Sequence, residues 1–159
     1  MASDKDYGKE AVKIKELEAK AEKGDENALL DLMYFYNNGD GVEQDYEKGF
    51  QLATICAEKG NDEAQFILGI MYYIGAGVEQ NDEKAFEWLK KSAKQGDTYS
   101  AIAQARLAEI YYDKQDLDEA YNWAVLAWKQ GFANLGFLLK VKAEIKEKKK
   151  GKENGKDWY

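Results

Sequence analysis

The sequence predicts an all-α protein, a stack of about three helix pairs closed by a single helix at each end. Three observations predict it. The phrase NNGDGVEQDYEKG at 37–49 returns in closely similar form as YIGAGVEQNDEKA at 73–85. Around these phrases the apolar residues fall on helical stripes, the pattern of amphipathic helices. The 159 residues include no proline, so punctuation falls to glycines and cap residues at helix ends.

Taken in order, residues 5–23 read as a lone helix of the second, or B, type standing in front of the repeats. The repeats are then marked by Gly24, Gly60 and Gly96, each 36 residues after the last. The same shift carries Ala28 to Ala64, Leu32 to Leu68, Tyr36 to Tyr72, Val42 to Val78 and Lys48 to Lys84. In each A helix one stripe (Ala64, Leu68, Met71 and Tyr72 in the second copy) reads as core. Ala85, Trp88, Leu89, Ser92 and Ala93 form the matching stripe of the B helix. Gly39 with Gly41, and Gly75 with Gly77, suit the left-handed turn that stops helix A. Asp45 and Asn81 suit the N-cap of helix B, with Val42 and Val78 tucked inward. The third copy is altered: Ala64, Gln65, Leu68, Tyr72 and Tyr73 recur 39 residues on as Ala103, Gln104, Leu107, Tyr111 and Tyr112, as if three residues were inserted before the helix. Its turn shrinks to KQDLDE, and Ala85, Trp88 and Gly96 recur 35 residues on as Ala120, Trp123 and Gly131. One domain over 1–150 is expected, with repeats at 24–59, 60–95 and 96–131, a closing A-type helix at 132–149 and a polar, flexible tail at 151–159. A period of this length marks a solenoid, in which no unit buries its apolar faces alone.

The segment AQFILGIMYYIGAGVEQNDEKAFEWLKKSAKQG at 64–96 resembles the Sel-one-like repeat, a relative of the tetratricopeptide repeat. The resemblance covers 24–131. The first copy departs at Met33, Gly49 and Leu52, where Gly, Ala and Trp are usual, and the third, without its glycine turn, is closer to a tetratricopeptide unit. The resemblance implies a right-handed α-solenoid used as a protein-binding adaptor, common in bacteria and usually without catalysis.

Composition narrows the function. The stretch KEKKKGKENGK at 146–156 carries six Lys and two Glu, a net +4; since the whole chain carries −7, the rest carries −11. An acidic body repels phosphate backbones and favours a basic partner, so no nucleic acid is expected. The uncharged run from Phe66 to Val78 has thirteen residues, three of them glycine, too short for a membrane span. The amino terminus lacks the pattern of an export signal, so a cytoplasmic protein is expected, or a periplasmic or secreted one if a leader has been cleaved. Cys56 is the only cysteine, so the fold is held by packing rather than by an intrachain disulfide.

The chain contains no histidine, which removes the commonest general base and zinc ligand. Ser3, Ser92 and Ser100 lie in no nucleophile motif. Cys56 occupies the place of Ser92 in the neighbouring copy and reads as a small packing group. GKENGK at 151–156 is one residue short of a phosphate loop and follows no strand. NNGDGVEQDYE has Asn38, Asp40, Gly41 and Glu47 at calcium-loop positions, yet Tyr36 stands where the first carboxylate belongs and Ala76 replaces Asp40 in the second copy. No catalytic residue, metal or cofactor is expected.

What remains is a surface. On the A helix of the second copy, Phe66, Ile70 and Tyr73 face away from the core stripe, where a solvated helix would be polar. The family resemblance assigns this side to the inner groove of the array: Leu30, Tyr34, Asn37 and Asn38 in the first copy, Phe66, Ile70, Tyr73 and Ile74 in the second, Ala105, Glu109, Tyr112 and Asp113 in the third. An apolar, aromatic middle with polar ends is the composition of a protein-binding surface. The competing reading is that Phe66, Ile70 and Ile74 only pack against adjacent A helices. Arg106 and Glu109, one turn apart, read first as a surface ion pair. Asp157, Trp158 and Tyr159 form a tail segment able to enter a groove. The expected function is a non-catalytic adaptor, monomeric when unbound, that holds a peptide or protein, with a basic partner favoured by the acidic body. An immunity protein that masks a cognate toxin is the second reading, and an enzyme acting on cell wall or β-lactams the third.

Overall fold

The computed structural model describes residues 4–96 and 98–154, with side chains for 12–96 and 98–152. The described residues form eight α-helices and no strand: α1 (Asp4–Ala21), α2 (Glu26–Asn38), α3 (Tyr46–Glu58), α4 (Asp62–Ile74), α5 (Asp82–Ala93), α6 (Thr98–Asp113), α7 (Leu117–Lys129) and α8 (Leu135–Asn154). They fall into two compact units, the first ending at Ser92 and the second beginning at Ala93.

In the first unit, α2 and α4 are A helices and α3 and α5 B helices. The side chains of Asp25, Asn61 and Asp45 accept from the backbone N–H of Ala28, Ala64 and Lys48, which caps α2, α4 and α3. Asn81 does the same for Lys84 in α5. Gly39 and Gly75 end α2 and α4 at φ 76° and 74°, a conformation glycine adopts without a Cβ penalty. Asp45 N–H then bonds to Tyr36 O and Asn81 N–H to Tyr72 O, so each turn is pinned to the helix it leaves. Val42 packs on the core formed by Ile14, Leu17, Ala28, Leu32 and Tyr36. A second core holds Leu29 and Met33 of α2, Ala53, Cys56 and Ala57 of α3, and Ala64, Leu68 and Met71 of α4, with Trp88 of α5 against it. Lys48 Nζ lies 4.3 Å from the centre of the Tyr36 ring and Lys84 Nζ 5.3 Å from that of Tyr72, the same cation–π contact one repeat apart.

In the second unit, the three residues inserted in the third copy lengthen the helix instead of the loop, and α6 runs for 16 residues against 13 in α2 and α4. The extra turn is held from inside, because Ser100 Oγ donates to Ala93 O at 2.7 Å, beside the Gln104 Nε2 bond to the same oxygen at 2.9 Å. Leu117, Ala120 and Val141 form one core of this unit, and Ala108, Ala124 and Leu138 another. α8 continues through Asn154, into the segment 151–159 expected as a tail; 155–159, including Asp157, Trp158 and Tyr159, lie outside the described residues.

The shortened third turn solves the left-handed step without glycine: Gln115 takes φ 62°. A non-glycine residue there costs roughly 1–2 kcal/mol. Gln115→Gly is therefore expected to stabilise the second unit by about 0.5–1 kcal/mol, net of glycine's greater backbone entropy, read as a raised urea midpoint at unchanged slope.

Candidate interaction surface

In the first unit, α4 presents Phe66, Ile70, Tyr73 and Ile74 along one side. The first three are half-buried and Ile74 is 63% exposed. Buried Ala64, Leu68 and Met71 occupy the opposite side of the same helix, so both stripes are apolar and only one is sealed. α2 adds Tyr34, 37% exposed, whose hydroxyl donates to Glu63 Oε1 in the first turn of α4. That bond ties the two A helices together at their open side. Leu30 is half-buried and packs on the core through its inner edge. Asn38 is exposed.

Asn37 points elsewhere. Its Oδ1 is buried, has no hydrogen-bond partner among the described residues, and lies against the Cα of Gly49 in α3, where a Cβ would overlap it. In the second copy the corresponding pair is Tyr73 and Ala85. The departure at Gly49 is thus the space into which Asn37 leans.

The second unit holds the remaining candidate residues. Glu109 is exposed and accepts from Arg106 Nη1 at 2.7 Å, with the two side chains 54% and 48% exposed, a pair of small energetic value. Glu109 and the half-buried Ala105 also line a recess of about 210 Å³ between α6 and the start of α8, with Ala108, Phe132, Asn134 and Phe137 among the other walls. Asp113 is exposed at the end of α6. Tyr112 is covered by α8: its hydroxyl donates to Glu144 Oε1 at 2.7 Å, its ring meets Phe137 edge-on at 5.5 Å, and Lys140 Nζ lies 4.6 Å from the ring centre. The hydrogen bond to Tyr112 holds the Lys140 ammonium above its ordinary pKa.

Phe132 and Phe137 were not among the residues singled out from the sequence, because the 36-residue period stops before them. The signal was present as aromatic residues in an otherwise Lys-rich segment. The buried amides of Gln65 and Gln104 were also missed as structural groups. Gln65 Nε2 donates to Ala57 O at 3.2 Å, the counterpart of the Gln104 bond to Ala93 O.

The nucleophile types are embedded. Ser92 and Ser100 are fully buried, and Ser3 lies outside the described residues. Cys56 is fully buried in the first core, and burial first, then the Glu26 carboxylate, pushes its thiol pKa up. Since the thiolate is the reactive form, alkylation of native protein at pH 8 is expected to run at least about 100-fold slower than in denaturant, followed by mass spectrometry. Among the described residues no group of three or more Cys, Asp or Glu is placed to hold a metal ion, and no helix is long and apolar enough to cross a membrane.

Helix pairs with glycine-closed turns, stacked through shared apolar faces, define a helical-repeat protein of the α-solenoid class. The Sel1 repeat family model matches residues 28–61, 62–97 and 101–132, and the chain belongs to that family, whose members typically serve as protein-interaction scaffolds. Several solved structures are similar, two of them as follows. One is a protective antigen present in uropathogenic Escherichia coli strains, displaying an SLR fold, at 31% identity and TM-score 0.67 over 72% of this chain and 25% of that one. The other is a Sel1 repeat protein from Oxalobacter formigenes, at 30% identity and TM-score 0.64 over 78% of this chain and 50% of that one. The chain therefore spans about a quarter and about half of the lengths of these two relatives. No curated protein matches it.

Proposed function

We propose that the chain is a non-catalytic interaction module that holds a peptide or protein on the open side of its A helices. The observation that carries this is the second apolar stripe of α4. Phe66, Ile70 and Tyr73 are only half-buried and Ile74 stands mostly in solvent, although a surface helix of a self-sufficient domain is polar on that side. Tyr34 beside them supplies an amphipathic aromatic group of the kind that dominates binding energies. In the second unit, taken by itself, Glu109 borders a recess that offers a separate candidate contact, and the acidic body favours a basic partner.

The test compares wild-type protein with Tyr34→Ala, Ile70→Asp and Tyr73→Ala in affinity purification from the source cell. The expected result is a partner retained by wild type and lost by the variants, with unchanged helical circular dichroism. Equal retention by all four, or loss of helicity in the variants, overturns the assignment.

A further inference from the structure

A second opening lies on the other side of α2. Between α1 and α3 runs a cleft of about 500 Å³ floored by Leu29, Leu32 and Leu52, with Ile55 at its mouth and, on its rim, Glu18 of α1 and Glu22 of the turn that follows it. Comparison with the next repeat explains why it is open. Thirty-six residues on, Leu52 becomes Trp88 and Ile55 becomes Lys91. There the indole packs on the core of α2, α3 and α4, and Lys91 Nζ sits 3.7 Å above it. The second repeat fills its slot with its own aromatic ring and roofs it with a cation. The first repeat has neither, and its Ile55 is left 43% exposed.

We propose that this cleft is a binding site for an aromatic side chain, tryptophan above all, presented by a peptide in which it is flanked by lysine or arginine. The incoming ring takes the place that Trp88 holds in the second repeat, and the flanking cation takes that of Lys91. The rim supplies the matching charge. Lys48 also borders the cleft, but its Nζ is committed to the Tyr36 hydroxyl at 2.9 Å, and that hydroxyl donates to Glu18 at 3.0 Å. Glu22 has no ion-pair partner among the described residues. An apolar floor that accepts a large aromatic group, rimmed by carboxylates that attract the neighbouring cation, is the arrangement of an anchor pocket.

The experiment titrates the full chain, with methyl and amide resonances followed by NMR, using the blocked peptide Gly-Lys-Trp-Lys-Gly and its alanine-for-tryptophan version. Saturable shifts at Leu29, Leu32 and Ile55 are expected with the tryptophan peptide, and at least tenfold weaker binding with the alanine peptide. Leu52→Trp closes the slot from within, and Ile55→Lys places the repeat-two cation at its mouth. Each is expected to weaken binding at least tenfold, and Ile55→Lys, a surface change, decides the matter should Leu52→Trp not fold. Ile70→Asp, on the α4 side, is expected to leave this binding unchanged, so failure of the A-helix assignment and failure of this one are separable. The proposal is overturned by absence of saturable shifts, by equal binding of the alanine peptide, or by undiminished binding to Ile55→Lys. A tenfold gain in affinity with Trp158→Ala also overturns it, because the occupant is then the chain's own segment 155–159.

Discussion

Gly77→Ala is expected to destabilise the first unit by about 2–5 kcal/mol, a large share of the stability of an ordinary domain. Two independent costs add. Gly77 has φ 68°, where any Cβ is strained by roughly 1–2 kcal/mol. The added methyl would also overlap the Tyr46 carbonyl and lie 2.8 Å from Glu47 N at the start of α3, and backbone cannot rotate away as a side-chain end does; overpacking of this kind costs roughly 1–3 kcal/mol. Gly60→Ala is the control. Gly60 has φ 96° with nothing within 4 Å of a Cβ, so only the conformational cost of about 1–2 kcal/mol applies. Urea unfolding followed by circular dichroism separates the two. Equal losses would show that the turn of the second repeat does not seat on the first turn of α3.

Leu68→Ala is expected to cost about 3–4 kcal/mol, within the range for emptying a well-packed leucine site, whereas Ile70→Asp two residues away is expected to cost about 1 kcal/mol or less. Leu68 is almost wholly buried, in contact with the core of α2, α3 and α4, while Ile70 borders the open side. Thermal unfolding of the two variants reads the difference directly. A large loss with Ile70→Asp would mean that the open stripe of α4 is a second core and that the interaction surface lies elsewhere.

The repeat was legible because its period is written in groups with fixed backbone duties: glycines at positive φ, Asp and Asn at N-caps, alanines where helices touch. Such duties depend on a few neighbours in sequence, so a single chain displays them. The environment of the candidate surface was less legible. Phe66 and Leu68 are equally apolar, and which of them is sealed depends on what crosses each side of α4, a fact of packing between helices. Asn37 reads as a groove residue by its place in the repeat, yet its oxygen turns inward because Gly49, twelve residues later, lacks the Cβ that would block it. Tyr112 reads as open for the same reason of register, and α8 covers it through Phe137, Lys140 and Glu144. The insertion in the third copy was visible as three residues. That they extend α6 goes with Ser100, in the added turn, reaching the Ala93 carbonyl, a bond that no periodicity announces.

Near-identical modules carry a hazard: a helix from one copy can settle against the wrong neighbour while the chain is still searching for its partners. The amide of Gln65 on the Ala57 carbonyl guards against this. Exchange α2 for α4 and the side chain delivered to that carbonyl is Leu29, whose methyl groups donate nothing, so the Ala57 oxygen keeps its bond from the Gly60 N–H but loses the buried side-chain one, worth about 0.5–1.5 kcal/mol. Within the first unit the exchange of α2 and α4 is thereby penalised by a polar contact that a purely oily seam would lack.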